Sequence, residues 1–472
     1  MSAISVAPEV RVDGWPDEVV GVGALVPVMD GSLRRYVNLD NAASTPPFRA
    51  VRDTVHEFAG WYSSVHRGTG FKSQVSTHAY EAAREAIIDF VGADPATHAA
   101  IFVKHTTEAL NKLAHALEGR RPYVISTIME HHANMLPWRV RAQAHRFVPV
   151  NEDGVWDLDG LESELRTTPT DRMRLVAIAG AYNSSGFTPP VHDAARLAHR
   201  YGAQILVDGA QLVPHRPVNM RGTGDGDHID FLVFSAHKMY APYGVGALVA
   251  PRDAFLDDPD ELGGGIVDLV TLDRVVWTQI PDREEAGSPN VIGAVALHAA
   301  IDVLKRIGME NVARHEEALT RYAYERIATI PGFRLLGPQT HANRVGLFSV
   351  VHPEISGYKV AAILGYEFGV GVRAGCFCAH PGMIHLLRVP EGTMRSFEES
   401  ILDHRNPGAV RASLGLYNSP ADIDYYVHAL RAIAEGRYAG EYVHDGATGD
   451  YLPTNWKPDL EAYFAVGQPR RA

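Results

Sequence analysis

Only two cysteines occur in the 472 residues, Cys376 and Cys378, with a single residue between them. A disulfide across that gap is strained in extended backbone, so no structural staple is expected, and a reducing cytoplasm is the setting that fits. Long apolar runs are absent as well. No stretch approaches the ~20 residues needed to cross a bilayer, so no membrane contact is expected. The first thirty or so residues lack a positively charged start followed by an apolar core and instead carry Asp13, Asp17 and Glu18, which argues against a secretory signal. Positive charge is in deficit: 44 Lys and Arg against 56 Asp and Glu give a net charge of -12, with no basic stripe, and this excludes a nucleic-acid-binding role. The glycine-rich stretch 222–227, GTGDGD, lacks the lysine and serine of a phosphate loop and reads as a solvated connector. No internal repeat or low-complexity tract is present.

What remains is the composition of a soluble globular protein, 46% hydrophobic and 21% charged, on a chain too long for one ordinary core. The residues around which it is organised are 231–243, FLVFSAHKMYAPY. Four apolar residues, Phe231 to Phe234, form the short run of a parallel strand covered on both faces. Polarity then flips at Ser235, His237 and Lys238, at the carboxyl edge where open α/β sheets bind ligands. A second run, Gln204 to Val207, ends in Asp208, with Gln211 a short step beyond. An amine and a carboxylate thus meet in one cleft. A lysine can form a Schiff base with an aldehyde cofactor while an aspartate holds a proton on the ring nitrogen, a pairing that suits pyridoxal phosphate.

Other strand exits carry polar groups too. Ile101 to Val103 leads to Lys104, His105, Thr106, Thr107 and Glu108 before a helical pattern. Hydroxyls and free amides at a helix start make an anion site, although threonines there also serve as plain caps. Val124 to Ser126 leads to Glu130, His131 and His132, whose spacing is not that of helical metal ligands; stacking of one imidazole on a planar ring fits at least as well. Leu175 to Ile178 precedes Tyr182, Asn183 and Gly186, and Val191 to Tyr201 is helical. Strand and helix alternate at a rhythm that predicts an α/β fold, a mainly parallel sheet flanked by helices. His66 and Arg67 sit in the loop VHRGTG, and Ser76 or Thr77 is placed to cap a helix running to about Phe90. Ile292 to Ile307 is strongly helical and opens toward a second lobe, with helices over Glu316 to Ile330 and beyond a cap at Ser419.

The segment 370–380, VGVRAGCFCAH, alternates apolar and polar residues. On an extended strand Cys376, Cys378 and His380 would share one face. Structural zinc needs a fourth ligand, and none is evident, so no metal is expected. A cysteine near Arg373 has a stabilised thiolate, which points to a nucleophile.

Taken in order, LDNAAS, VHRG, the Thr106-Thr107-Glu108 turn, MEHHAN, VDGAQ, SAHKMY, EAGSPN, the loop from Arg373 to Cys378 and VRASLGLYN resemble the class V aminotransferase family of fold-type I pyridoxal phosphate enzymes. Within it they are most similar to the SufS-like cysteine desulfurases and selenocysteine lyases. The resemblance implies a pyridoxal-phosphate-binding domain over about 36–305, a smaller α/β domain over 306–440 bearing the cysteine loop, an N-terminal extension over 1–35 and a tail over 441–472. It implies that Lys238 holds the cofactor covalently, Asp208 pairs with the ring nitrogen and His131 stacks on the ring. Gln211 and Asn183 would lie near the ring hydroxyl. Thr106, Thr107, Ser235 and His237 would hold the phosphate, with Ser288 arriving from the partner of a homodimer. Arg411 would grip the substrate carboxylate, and Arg373, with His66 and Arg67 from across the dimer, would line the pocket. Cys378 matches the family's catalytic cysteine, so cysteine would yield alanine and a Cys378 persulfide whose sulfur passes to an acceptor protein. The chain departs from the family at Cys376, His105, 180–182 and the lengthened stretch 383–407. These departures keep open a carbon–sulfur lyase acting on a larger amino acid, and, further off, a silent fold kept for binding.

Overall fold

The structure, a computed structural model, describes residues 15–66, 68–402 and 408–467. Arg67 lies outside the described residues. The central sheet has seven strands: β1 (His98–Val103), β2 (Tyr123–Thr127), β3 (Ala144–Val148), β4 (Arg174–Ala179), β5 (Gln204–Asp208), β6 (Phe231–Ser235) and β7 (Gly246–Pro251). Their spatial order is β1-β7-β6-β5-β4-β2-β3, and β7 alone runs against its neighbours. All five residues of β6 are buried, as expected of a strand covered on both faces. Helices cover both sides, among them α1 (Arg49–Phe58), α2 (Phe71–Phe90), α3 (Thr106–Ala116), α4 (Val191–Arg200) and α5 (Val291–Ile307).

A second, four-stranded sheet follows, with β8 (Arg334–Leu335), β9 (Leu347–Val351), β10 (Arg373–Gly375) and β11 (Ala409–Ser413) in the order β8-β9-β11-β10. It has its own core, in which Phe348, Val350 and Val410 pack against α6 (Met309–Ile327), α7 (Gly357–Phe368) and a C-terminal helix, Pro420–Ala434. The N-terminal segment threads between the two sheets. Ala42 N donates to Ser413 Oγ at 2.8 Å, while Thr45 N donates to the carbonyl of His237 at 2.8 Å. The turn read as a tight polar loop therefore staples the end of β11 to the end of β6. A hairpin of Tyr442–His444 and Tyr451–Pro453 packs its Tyr442 ring on Tyr366 of α7.

Several boundaries differ from the sequence expectation. The helix expected to begin at Ser76 or Thr77 starts at Phe71, and Thr77 Oγ1 instead bonds back to the carbonyl of Ser73 and accepts from His66 N. Here the loop found another use for the hydroxyl. The helix read as Glu316 to Ile330 runs from Met309 to Ile327. The cap at Ser419 is present, with Asp422 completing a capping box. The extended reading of 370–380 fails at its end: Phe377 and Cys378 are both left-handed, with φ of +54°, so Cys376, Cys378 and His380 do not share a strand face. Much of 383–407 is helical, in α8 (His380–Leu387) and α9 (Met394–Leu402), and 403–407 lie outside the described residues.

The stretch EAGSPN is fixed by its first residue. Glu285 accepts from Tyr80 Oη at 2.6 Å, from Arg84 Nη1 at 2.7 Å and from the backbone of Phe102 at 2.7 Å, tying the loop to α2 and β1. Both charges of the Arg84–Glu285 pair are largely withdrawn from water. Removing one partner leaves the other buried and unpaired, which costs about 3–5 kcal/mol. Glu285→Ala is expected to lower the thermal unfolding midpoint clearly, whereas a change at exposed Lys305, paired with Asp89, is expected to move it little, a comparison made by calorimetry.

Candidate active site

The carboxyl ends of β1, β4, β5 and β6 open onto a cavity of about 640 Å³, closed on the far side by Arg373 of β10, by Phe377 and Cys378 beyond that strand, and by Arg411 of β11. Lys238 stands in the short turn after β6, and Asp208 ends β5 beside it. Lys238 keeps part of its surface open to the cavity, yet its surroundings are those of the interior. Desolvation lowers its pKa to about 8 against the opposing pull of Asp208. Burial likewise raises the pKa of Asp208, despite a hydrogen bond from Ala210 N at 3.0 Å and the charge of Lys238. Both shifts favour the uncharged forms, so the amine is a ready nucleophile near neutral pH.

An anion corner lies a few residues away. The start of α3 follows β1 directly, and Thr106 N and Thr106 Oγ1 lie 2.8 and 2.7 Å from Ser235 Oγ. Thr107 and His237 line the same wall. Burial first, and the charge of Lys238 second, hold His237 neutral by lowering its pKa to about 4. A helix N-terminus, three hydroxyls and a neutral imidazole suit a phosphate. His105 caps α3, its Nδ1 accepting from Glu108 N at 3.2 Å. His131 also lines the cavity with a pKa lowered to about 4, chiefly by burial and then by Lys238. Its Nδ1 accepts from Ala133 N at 3.0 Å, which fixes the proton on Nε2. These groups, with room between them, fit the aldehyde cofactor expected from the sequence.

Arg411 comes from β11 of the other sheet. It is buried, its Nη1 donates to the carbonyl of Asn183 at 3.1 Å, its Nη2 lies 3.5 Å from Asp40, and its Nε is buried without a partner. Burial lowers its pKa only to about 10, so it stays cationic. Arg373 pairs with the other oxygen of Asp40 at 2.8 Å. Asp40 thus orients both guanidinium groups, a role the motif LDNAAS did not disclose because the partners lie more than 330 residues away. Phe377 is a second unread contributor: its ring lies 4.8 Å under the Arg411 guanidinium.

Cys378 is exposed on the cavity wall, while Cys376 is buried in the core. Burial, and then the neighbouring thiol, push the Cys376 pKa up to about 11, so it stays protonated. Left-handed backbone at Phe377 and Cys378 is costly for residues with a Cβ, about 1–3 kcal/mol each. Three bonds hold it. Asn183 Nδ2 donates to the Phe377 carbonyl at 2.7 Å, His132 N donates to the Cys378 carbonyl at 2.7 Å, and His380 N donates to His132 Nε2 at 3.0 Å. Asn183, expected beside a ring hydroxyl, lines the cavity but spends its amide on the cysteine turn. Gln211 similarly donates to the carbonyl of Ala42 at 2.7 Å.

Behind His131 a polar knot is wholly buried. Glu130 accepts from Thr127 Oγ1, Asn134 Nδ2 and Tyr182 Oη at 2.9, 2.9 and 3.0 Å, and desolvation raises its pKa to about 8. Ser288 and His66 do not line the cavity of the single chain: Ser288 is exposed on its loop, and the His66 ring stands edge-on to Tyr80 at 5.8 Å. Among the described residues, no metal-competent cluster includes either cysteine.

The family model for class-V aminotransferases matches residues 37–426. A cysteine desulfurase of Klebsiella pneumoniae subsp. pneumoniae is 36% identical over 420 residues, 85% of this chain and 95% of that protein. A protein of Mycolicibacterium paratuberculosis, named "Probable cysteine desulfurase", is 34% identical over 441 residues, 91% of this chain; the chain spans only 60% of that relative's length. Among solved structures, the apo cysteine desulfurase of Thermococcus onnurineus NA1 matches with a TM-score of 0.75 and 30% identity, over 85% of this chain and 95% of that one.

Two outcomes are expected from this geometry. Since His132 must be neutral to accept from His380, and burial lowers its pKa first of all, acid loosens the cysteine turn only below the ordinary imidazole range. Loss of one such bond, about 1 kcal/mol, raises the open population about fivefold. His132→Ala is expected to speed iodoacetamide labelling of Cys378 by that factor, and His132→Gln, whose carbonyl can accept in its place, to restore it and abolish the acid dependence. Capture of pyridoxal phosphate by cofactor-free protein is expected to accelerate as pH rises through about 8, where the Lys238 amine loses its proton; a flat profile between pH 7 and 9 counts against the depressed amine.

Proposed function

The chain belongs to the class-V aminotransferase family, and from that membership we propose that it is a pyridoxal-phosphate-dependent cysteine desulfurase that converts L-cysteine to L-alanine and leaves a persulfide on Cys378. The observation that carries this reading is an exposed thiol held in a left-handed turn on the same cavity wall as Lys238 and Arg411. Lys238 would hold the cofactor, Asp208 its ring nitrogen, and Thr106, Thr107, Ser235 and His237 its phosphate, with His131 against the ring face. Pyridoxal phosphate, when bound, supplies an electron sink for the charge that develops as the α-proton leaves.

The chain's own groups do the rest. Arg411, with its unpartnered Nε and its remaining donors oriented by Asp40, grips the substrate carboxylate and so fixes which bond at the α-carbon faces Lys238. Lys238 Nζ, whose pKa is lowered to about 8, receives the α-proton and can return it. His131, uncharged at neutral pH, does not compete for that charge. Cys378 Sγ as thiolate attacks the substrate sulfur, the carbon–sulfur bond breaks, and the sulfur remains on Cys378 while the three-carbon fragment is reprotonated to alanine. Arg373, exposed and paired with Asp40, supplies positive charge near the thiol.

We further infer a homodimer in which Ser288, His66 and Arg67 serve the other copy's cavity, and a cytoplasmic setting with a protein acceptor for the sulfur. The exposure of Ser288 and His66 away from their own cavity supports that division of labour.

The test is to incubate cofactor-loaded protein with L-cysteine and a reductant and to assay alanine and sulfide. Equal amounts are expected from the native chain and from Cys376→Ala, since that thiol is buried and protonated. Cys378→Ala is expected to lose both products while keeping the cofactor. If native protein forms no alanine from cysteine but acts on a larger thioether amino acid, the reading gives way to a carbon–sulfur lyase.

A further inference from the structure

The corner beside the start of α3 holds a side chain to which the proposed chemistry gives no task. His105 joins β1 to α3 in extended backbone, with φ of -171° and ψ of 170°, and it lines the cavity. Gly246, at the start of β7, makes that placement possible. It pairs with Val103 on one side and with Ser235 on the other. A Cβ at Gly246 would meet the Phe234 carbonyl oxygen at 2.5 Å and His105 Cα at 3.2 Å. The close approach of three strands thus brings His105 and Ser235 to one corner.

The bonds in this corner decide what His105 can offer. Its Nδ1 accepts from Glu108 N at 3.2 Å, so Nδ1 holds the lone pair and Nε2 carries the proton. Among the described residues, nothing is hydrogen-bonded to that Nε2–H. Neighbouring donors are already committed. Thr106 N donates to Ser235 Oγ at 2.8 Å, and Lys104 Nζ is held by Glu108 at 3.2 Å and by Glu261 at 3.8 Å. His237 is kept neutral first by burial, then by Lys238 and then by His105, which sets the two imidazoles within electrostatic reach of each other. An anion entering here therefore finds the charge of Lys104 spent on carboxylates, and it depends on neutral N–H and O–H donors.

We propose that His105 is a further ligand of the cofactor phosphate, its Nε2–H donating to a phosphate oxygen while its Nδ1 caps α3. One ring then does two things: it satisfies an open amide of the helix, and it adds a donor where the helix start attracts negative charge. The imidazole becomes a determinant for the phosphorylated cofactor over plain pyridoxal. The inference rests on pyridoxal phosphate being the cofactor, and it concerns a position at which the chain departs from its family.

Pyridoxal phosphate and pyridoxal, which differ only in the phosphate, are the probes. Cofactor-free full-length protein is titrated with each, and capture is followed by the visible absorbance of the lysine-bound cofactor. His105→Asn and His105→Gly both leave a residue suited to a helix cap while removing the imidazole. Each is expected to weaken pyridoxal phosphate binding about tenfold and to change pyridoxal binding by less than about twofold. The phosphorus NMR resonance of bound pyridoxal phosphate is expected to move in both variants. Unchanged or tighter binding of pyridoxal phosphate by the variants, an equal loss for pyridoxal, or an unmoved phosphorus resonance overturns the assignment of His105 and leaves the cofactor reading in place. Native protein that captures neither probe overturns both.

Discussion

Burying an amine beside a carboxylate governs this structure. At the ends of neighbouring parallel strands, Lys238 and Asp208 each lose more hydration than the other restores, so both are driven toward their neutral forms. A chain selected for stability alone would fill such a cleft with apolar residues. Instead the apolar run of β6 stops at Ser235, and polar groups of the walls are tied to one another. Thr106 is tied to Ser235, and the His237 carbonyl accepts from Thr45 N and from Ser44 and Thr45 hydroxyls. The cavity is held open by hydrogen bonds that belong to its walls.

The opposite wall stores its tension in the backbone. Phe377 and Cys378 occupy a region that favours glycine, and the turn persists because carbonyls 377 and 378 are each captured from β-sheet loops of the other lobe. Phe377 explains why a bulky residue is kept there, since its ring lies beneath the guanidinium of Arg411. The same residue thus supports the Arg411 guanidinium and is followed directly by Cys378, which lines the cavity. Cys376, two positions earlier, points into the core, and burial keeps it protonated and chemically quiet. The separation of the two thiols is a consequence of the turn.

That turn also marks where sequence reasoning stopped. The strand ends bearing Lys238, Asp208, His131 and Thr106 were legible because apolar runs that end abruptly have one common outcome in a parallel sheet. The capping box at Ser419 was equally readable, being local. What could not be read were partners distant in sequence. Asp40 reaches Arg373 and Arg411, and Asn183 reaches Phe377. Alternation across 370–380 suggested extended backbone, since nothing in VRAGCFCAH announces two left-handed residues without glycine. The helix start was misjudged for a related reason: Thr77 bonds within the turn before it, so a good cap residue was not at a cap.

These distant contacts make the two sheets one device. Arg411 lies on the four-stranded sheet and Cys378 in the turn after its strand β10, while Asp208 ends a strand of the seven-stranded sheet and Lys238 follows another, so a molecule filling the cavity must touch both. Their relative position is set by the segment from Tyr36 to Pro47, which pairs with β11 through Ser413 at one end and with the Lys238 turn through Thr45 at the other. Small side chains at Ala42 and Ala43 let that segment line the cavity without filling it. A shift of this strap by a fraction of an ångström would move the Arg411 guanidinium relative to the Lys238 amine, the two groups to which the proposed reaction assigns the substrate carboxylate and its α-proton. Positioning of that kind is worth several kcal/mol of a chemical barrier, which is why a loop without any acid, base or nucleophile in the reaction carries as much of the site as the residues that react.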